Sequence, residues 1–148
     1  MSRLKQGGFL ISKIHQLAGR IFAKKLKDYA IEINPSQGRI LFVLWQNDAI
    51  SIRELAHKTA LEKSTLTSML DRLEEMGYVK RLPSTEDRRK ILIKLTPKNQ
   101  ELQQLHQAVS VEMNELFYQG FTEEEIWQFE KSLSRIFANL NCFETQER

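Results

Sequence analysis

Residues Ser51–Thr96 read SIRELAHKTALEKSTLTSMLDRLEEMGYVKRLPSTEDRRKILIKLT. The hydrophobic period changes within this run. Ser51 and Glu54 have capping-box spacing and open a short helix through about Lys58. A break follows at Thr59-Ala60-Leu61. From about Glu62 to Met76, the residues Leu66, Met69, Leu70, Leu73 and Met76 recur at helical spacing. Gly77 then stands where a helix ends on a left-handed residue. Tyr78–Leu82 and Ile91–Leu95 are β-prone runs with partial alternation, and polar, charged Pro83–Lys90 lies between them. That pattern predicts a hairpin with a long, mobile tip. An isolated hairpin is marginal in water, so it must lean on the helices. Short helix, tight turn, second helix and hairpin make a winged helix-turn-helix with a two-stranded β wing.

The flanks of this stretch are helical. From Phe9 to about Tyr29, Leu10, Ile14, Leu17 and Ile21 share helical spacing, as do Ile11, Ala18 and Phe22. Together they form a stripe wider than one packed face needs. Asn34-Pro35 reads as a cap followed by proline at the first helical position, with Gln37 completing a capping box. The helix it opens carries Ile40, Leu41, Val43 and Leu44 and ends near Asn47. After the hairpin, Thr96-Pro97 caps a long helix bearing Leu102, Leu105, Val109, Met113 and Leu116. Thr122 with Glu125 opens a last helix whose stripe is Ile126, Phe129, Leu133, Ile136, Phe137 and Leu140. The predicted class is mainly α (α+β). Residues 1–148 form one domain, with a winged-helix lobe over 35–98 and a helical platform from 1–33 and 99–148.

The chain has 148 residues, enough for one domain with a real core. Its net charge of +3 is unevenly spread. Met1–Ile52 holds 8 basic and 3 acidic residues, Arg53–Lys98 holds 11 and 7, and Asn99–Arg148 holds 3 and 9. A basic first two-thirds suits a polyanion, and an acidic last third would face away from it. One cysteine, Cys142, excludes an intrachain disulfide and an all-cysteine zinc site, and favours a reducing compartment. The longest apolar runs are far short of a membrane span, and the N-terminus lacks the apolar core of a signal peptide. A cytoplasmic protein with no membrane partner is expected.

At 100° per residue, the arc of the 62–76 helix opposite its leucines holds Ser64, Ser68, Asp71 and Glu75, flanked by Thr65, Thr67 and Arg72. Lys63 stands at its N-terminal end. A helix entering a major groove presents its N-terminal residues to the bases. Short hydroxyl side chains allow close approach and bond to bases or phosphates, and the helix dipole favours phosphate at that end. Asp71 and Glu75 would repel phosphate and should lie away from the backbone. An ordinary amphipathic helix with a solvated polar face explains the same residues. The hairpin tip shifts the balance. Arg88, Arg89 and Lys90 stand together at its apex, and an arginine on a protruding ribbon can enter the minor groove. Asp87 can hold a neighbouring guanidinium by a charge-assisted bond. The competing reading of the tip is a solvated turn that keeps an edge from aggregating.

Leu55-Ala56, Ser64-Thr65-Leu66-Thr67, Leu70-Asp71-Arg72-Leu73-Glu74, Gly77-Tyr78-Val79, Arg81, Asp87-Arg88-Arg89 and Lys94-Leu95-Thr96 together resemble the multiple-antibiotic-resistance regulator (MarR) family over about residues 35–98. The resemblance implies a homodimeric bacterial or archaeal transcription factor whose first and last two helices interlock as the dimer platform. It implies that Arg89 reaches the minor groove and that Asp87 supports the wing. Arg72 matches the family's Asp-Arg-Leu arginine, which leaves a phosphate contact and an internal salt bridge both open. It also implies a small aromatic or phenolic effector between platform and lobe; His15, Arg20 and Trp45 are conceivable lining residues, and the effector site stays unknown. Some members sense oxidants through a cysteine in the first helix, where this chain has none.

Phe9, Leu10, Ile14, Phe117, Phe121, Phe129, Ile136, Phe137, Leu140 and Phe143 are the residues to watch for an interface. Either they bury within one chain or they cover a second copy. The first seven residues and the tail after Asn141 are read as disordered or swapped across such a dimer. His15, His57 and His106 are scattered, so no metal site is read, and no catalytic signature or cofactor motif appears. Glu123-Glu124-Glu125 is explained by a helix N-terminus. The expected function is a non-enzymatic, sequence-specific double-stranded DNA-binding regulator, a repressor acting as a homodimer on a pseudo-palindromic operator. The alternative is a winged-helix interaction module whose basic face meets an acidic protein partner.

Overall fold

The computed structural model describes residues 3–147. In chain order the elements are α1 (Gly7–Asp28), α2 (Pro35–Gln46), β1 (Ile50–Ser51), α3 (Ile52–Thr59), α4 (Lys63–Glu75), β2 (Val79–Pro83), β3 (Ile91–Leu95), α5 (Asn99–Phe117) and α6 (Glu123–Glu147). Among the described residues, no helix is long and apolar enough to cross a membrane. By compactness the chain divides into two units, through Ser110 and from Val111 onward.

In the first unit, local chemistry sets the helix ends. The Asn34 side-chain oxygen accepts from the Gln37 N–H at 2.8 Å, and the Gln37 side chain accepts from the Asn34 N–H at 2.9 Å, so the predicted capping box opens α2. Ser51 accepts from the Glu54 N–H at 3.1 Å, but among the described residues the Glu54 carboxylate returns no bond, so only half of that box forms. Ala60 turns the chain with φ 59°, in the left-handed region, and the hydroxyl of buried Thr59 donates to the Leu55 carbonyl at 2.7 Å. On α4, Leu66, Leu70 and Leu73 are completely buried in a core shared with Leu41, Leu44, Leu55 and Ile93. Each such leucine contributes about 1.5–3 kcal/mol.

The wing differs from the two-stranded expectation. The sheet has three antiparallel strands in the order β1-β3-β2. Ile50 pairs with Ile93 and Ser51 with Leu92, while Arg81 also faces Ile93 from the other side. A two-residue strand has no alternation to read, so it leaves no periodic signal in the sequence. The hairpin tip is closed by its own bonds. The Ser84 N–H donates to the Lys90 carbonyl at 3.0 Å, and the Ser84 hydroxyl accepts from the Glu86 and Asp87 N–H groups at 3.2 Å each.

Thr96 does not cap α5, which starts at Asn99. Its hydroxyl donates instead to the Gly77 carbonyl at 2.5 Å, tying the end of β3 to the turn after α4. The Lys98 ammonium donates to the Met76 carbonyl at 2.6 Å and lies 5.0 Å from the centre of the Tyr78 ring. A cation at a helix C-terminus satisfies orphan carbonyls and opposes the negative end of the dipole. The tail after Asn141 is helical, because α6 continues to Glu147. Of the first seven residues, Gly7 begins α1; Met1 and Ser2 lie outside the described residues.

In the second unit, the Thr122–Glu125 capping box forms at 2.9 and 3.1 Å. The Tyr118 hydroxyl donates to the Glu130 carboxylate at 2.7 Å, and its ring meets Phe121 and Phe129 edge-on. Phe117, Phe121, Ile136, Phe137, Leu140 and Phe143 are exposed in the single chain, as are Phe9, Leu10 and Ile14 of α1, and Phe129 is half-buried.

One helix contact in the first unit is unusually close. His106 of α5 is buried, with Phe22 of α1 at 5.3 Å and Trp45 of α2 at 5.0 Å between ring centroids. Trp45 in turn donates to the Asn99 side chain at 2.8 Å. The His106 Nε2 is buried without a partner, and a Cβ placed on Gly38 would stand 2.7 Å from it. Helix propensity alone would make alanine better at Gly38 by up to about 1 kcal/mol. The ring is wedged between two aromatics, so overpacking at about 1–3 kcal/mol dominates. Gly38→Ala is expected to lower stability by about 1–2 kcal/mol in urea unfolding.

Burial holds the His106 pKa below its ordinary 6.5. The unfolded chain then binds a proton at a pH where the folded chain does not, so stability falls as pH drops through 6.5 toward the lower folded value. Urea unfolding between pH 8 and pH 5 should show this decline, and His106→Phe should remove part of it.

Candidate nucleic-acid interface

Burying Leu66, Leu70 and Leu73 turns the opposite side of α4 to solvent. Lys63, Ser64, Thr65, Thr67, Ser68 and Arg72 are all exposed. Among the described residues, the side chains of Ser64, Thr65 and Ser68 have no hydrogen-bond partner. Thr67 is different: its hydroxyl proton goes to the Lys63 carbonyl at 2.9 Å, leaving it an acceptor only. Glu62 occupies the N-cap of α4 without making a side-chain cap bond, and the first turn carries no acid. The first N–H groups of this helix are therefore left open to an outside acceptor.

At the wing tip, Asp87 and Arg89 form a local clamp. The Arg89 N–H and Nε donate to one carboxylate oxygen at 3.0 and 3.1 Å, and Nη2 donates to the other at 3.3 Å. The Arg89 side chain is nonetheless 91% exposed. The Arg89 bonds hold the Asp87 carboxyl below its ordinary 3.8, with Lys90 adding to the effect. The clamp therefore stays ionised at neutral pH. Arg88 and Lys90 are exposed beside it.

Arg72 was open between a phosphate contact and an internal salt bridge. It makes a 3.6 Å pair with Glu75 one turn along its own helix, and both side chains are well exposed. Such a pair contributes little, about 0–1 kcal/mol. Shorter and less exposed ion pairs are made by Arg81 of β2, to which the sequence reading gave no role. Arg81 Nη2 donates to Asp71 at 2.7 Å and Nη1 to Glu74 at 2.8 Å, and the Arg81 N–H reaches the second Glu74 oxygen at 3.3 Å. The acid expected to lie away from phosphate, Asp71, is thus bound to the wing. Asp48 was also missed. Its carboxylate accepts from the Leu95 and Ala49 N–H groups at 2.9 and 2.7 Å and fastens the start of β1 to the end of β3. An arginine two residues into a strand, or an aspartate in a turn, carries no contact signal until the partner element is placed.

A groove of about 590 Å³ runs between the end of α1, the α1–α2 connection and α4, lined by Leu26, Lys27, Ile33, Arg72 and Met76 among others. His15, Arg20 and Trp45 do not line it. Among the described residues, no cluster of three or more His, Cys, Asp or Glu side chains could hold a metal. Cys142 is exposed.

The MarR family model matches residues 33–91. Over 130 residues the chain is 29% identical to the multiple antibiotic resistance protein MarR of Escherichia coli K12, covering 87% of this chain and 89% of that protein. A mutant E. coli MarR solved with operator DNA superposes with a TM-score of 0.76 at 28% identity, covering 91% of this chain and 99% of the other. The HTH-type transcriptional repressor IacR of Pseudomonas putida is 26% identical over 132 residues, 89% of this chain and 78% of IacR. The HTH-type transcriptional regulator YsmB of Bacillus subtilis is 34% identical over 111 residues, 75% of each chain. IacR and YsmB are named as a repressor and a regulator of transcription. With the winged helix, the Asp87–Arg89 clamp and this similarity along most of its length, the chain belongs to the MarR family of transcriptional regulators.

Proposed function

We propose that this protein is a sequence-specific double-stranded DNA-binding repressor that acts in the cytoplasm as a homodimer. The observation that carries the reading is the pairing of two exposed features. The open N-terminal half of α4 bears Ser64, Thr65 and Ser68, and the wing tip bears Arg89. In this reading α4 enters a major groove, Ser64, Thr65 and Ser68 meet base edges or phosphates, and Thr67 accepts only. Lys63, Arg72, Arg88 and Lys90 neutralise phosphates, and Arg89, held by Asp87, enters the neighbouring minor groove. The uncapped first turn of α4 suits a phosphate oxygen. Similarity to a protein solved with operator DNA and to a named repressor supports the same reading.

The exposed apolar residues of α1 and α6 support the homodimer, with residues 1–33 and 99–148 as its platform and 35–98 as the reading lobe. Patches of this kind on a single chain usually mark an interface. A two-fold dimer presents two α4 helices to half-sites roughly 34–36 Å apart. A small aromatic or phenolic effector would release DNA by favouring a different spacing of the two lobes. The groove beside Arg72 has mostly apolar walls with the charged groups Lys27, Arg72 and Glu32, which suits an apolar ligand bearing a few polar groups.

Selection of bound sequences from a random duplex pool tests the reading: an imperfect palindrome is expected, and no enrichment would overturn it in favour of an acidic protein partner. Arg89→Ala should weaken binding to the selected duplex by about tenfold or more and make the salt dependence shallower, with a thermal midpoint close to the parent's. Equal affinity at matched salt would count against the wing contact. In sedimentation, the parent should run as a dimer, and Phe137→Glu with Leu140→Glu should shift it toward monomer.

A further inference from the structure

We propose that Arg81 is a positioning residue for DNA recognition, locking the wing to the recognition helix while contacting no DNA itself; this rests on the DNA-binding reading above. Its side chain is 22% exposed, against 65% for Arg72 and 91% for Arg89. Both Nη groups and its backbone N–H are engaged by two carboxylates of α4. A guanidinium is a planar fork, so bonding two acceptors at once fixes its orientation in a way an ammonium cannot. The two acids lie three residues apart, one turn of helix, and they straddle the wing-side edge of the outward stripe. Asp71 shares that stripe with Ser64 and Ser68. The bracket therefore ties the helix face that carries the hydroxyls to the strand that leads to Arg89.

The same contact answers an electrostatic problem. Asp71 and Glu74 are 60% and 43% exposed, and without a partner they would turn two negative charges toward the phosphates. Arg81 neutralises them from the protein side. The covalent link between α4 and β2 is short, and the Tyr78 N–H to Leu73 carbonyl bond at 3.0 Å closes it. That link fixes where β2 begins. The bracket, two residues further along β2, fixes how the strand is rotated against the helix. Groove reading needs both features in register, so losing the bracket should damage discrimination between sequences more than general attraction to DNA.

The experiment compares affinity for the selected duplex with affinity for random duplex, across salt concentrations, for the full-length parent, Arg81→Gln, Arg81→Lys, Asp71→Asn and the Arg81→Gln/Asp71→Asn double variant. Arg81→Gln should lower the ratio of the two affinities about tenfold with an unchanged salt slope. Arg81→Lys, which keeps the charge but not the fork, should fall between it and the parent. Asp71→Asn should lower the ratio in the parent and leave it unchanged in the Arg81→Gln background, the signature of one shared contact. Should Arg81→Gln fail to fold by circular dichroism, the Arg81→Lys and Asp71→Asn ratios decide. Equal losses on both duplexes with a slope shallower by about 1 would make Arg81 a phosphate contact and overturn the proposal. Losses that multiply in the double variant would also overturn it. A parent that binds no duplex would remove the DNA reading itself, a result visible before any variant is compared.

Discussion

The orientation of α4 depends on three leucines. Leu66, Leu70 and Leu73 sit at i, i+4 and i+7, and each is completely buried. Their combined burial is on the order of 5–9 kcal/mol, several times what the partly exposed Arg81 contacts supply. Apolar burial therefore decides which face of α4 looks outward, and ionic contacts only refine its setting. Once those leucines are inside, the 3.6-residue period leaves Ser64 and Ser68 no place but the surface. The exposed hydroxyl face is thus a consequence of the core.

Polar contacts then convert a packed helix and a hairpin into one device. Thr96 holds the turn at Gly77, Lys98 caps α4 at Met76, and Arg81 brackets Asp71 and Glu74. All act at the C-terminal half of α4. The N-terminal half has no side-chain cap, and the Ser64, Thr65 and Ser68 hydroxyls there have no partner among the described residues. At the tip, the Asp87–Arg89 clamp gives an otherwise mobile arginine a preferred direction without burying it. A side chain with many rotamers loses less entropy on binding when it starts close to its bound geometry.

The contact of His106 with Gly38 is of a different kind. Two helices approach closely because one residue lacks a side chain, and burial disfavours the charged form of the ring that fills the notch. Histidine and glycine each look unremarkable in the sequence. Their partnership joins residues 68 positions apart, and only the packing of α2 on α5 reveals it.

The order of the helices and the hairpin, the inward and outward faces of α4, the capping boxes at Asn34–Gln37 and Thr122–Glu125, and the closeness of Asp87 to an arginine were all legible in the residues themselves. All of these are local: periods, caps and a two-residue spacing act within a few residues of chain. Only long-range packing produced the third strand at Ile50–Ser51, the diversion of Thr96 from a helix cap to a tie on Gly77, and the Arg81 bracket on Asp71 and Glu74. Each of these joins groups that come together only after the hairpin has folded onto the helices. A hydrogen bond between distant residues leaves no spacing in the text, because loop closure and core packing, not sequence interval, choose its partners.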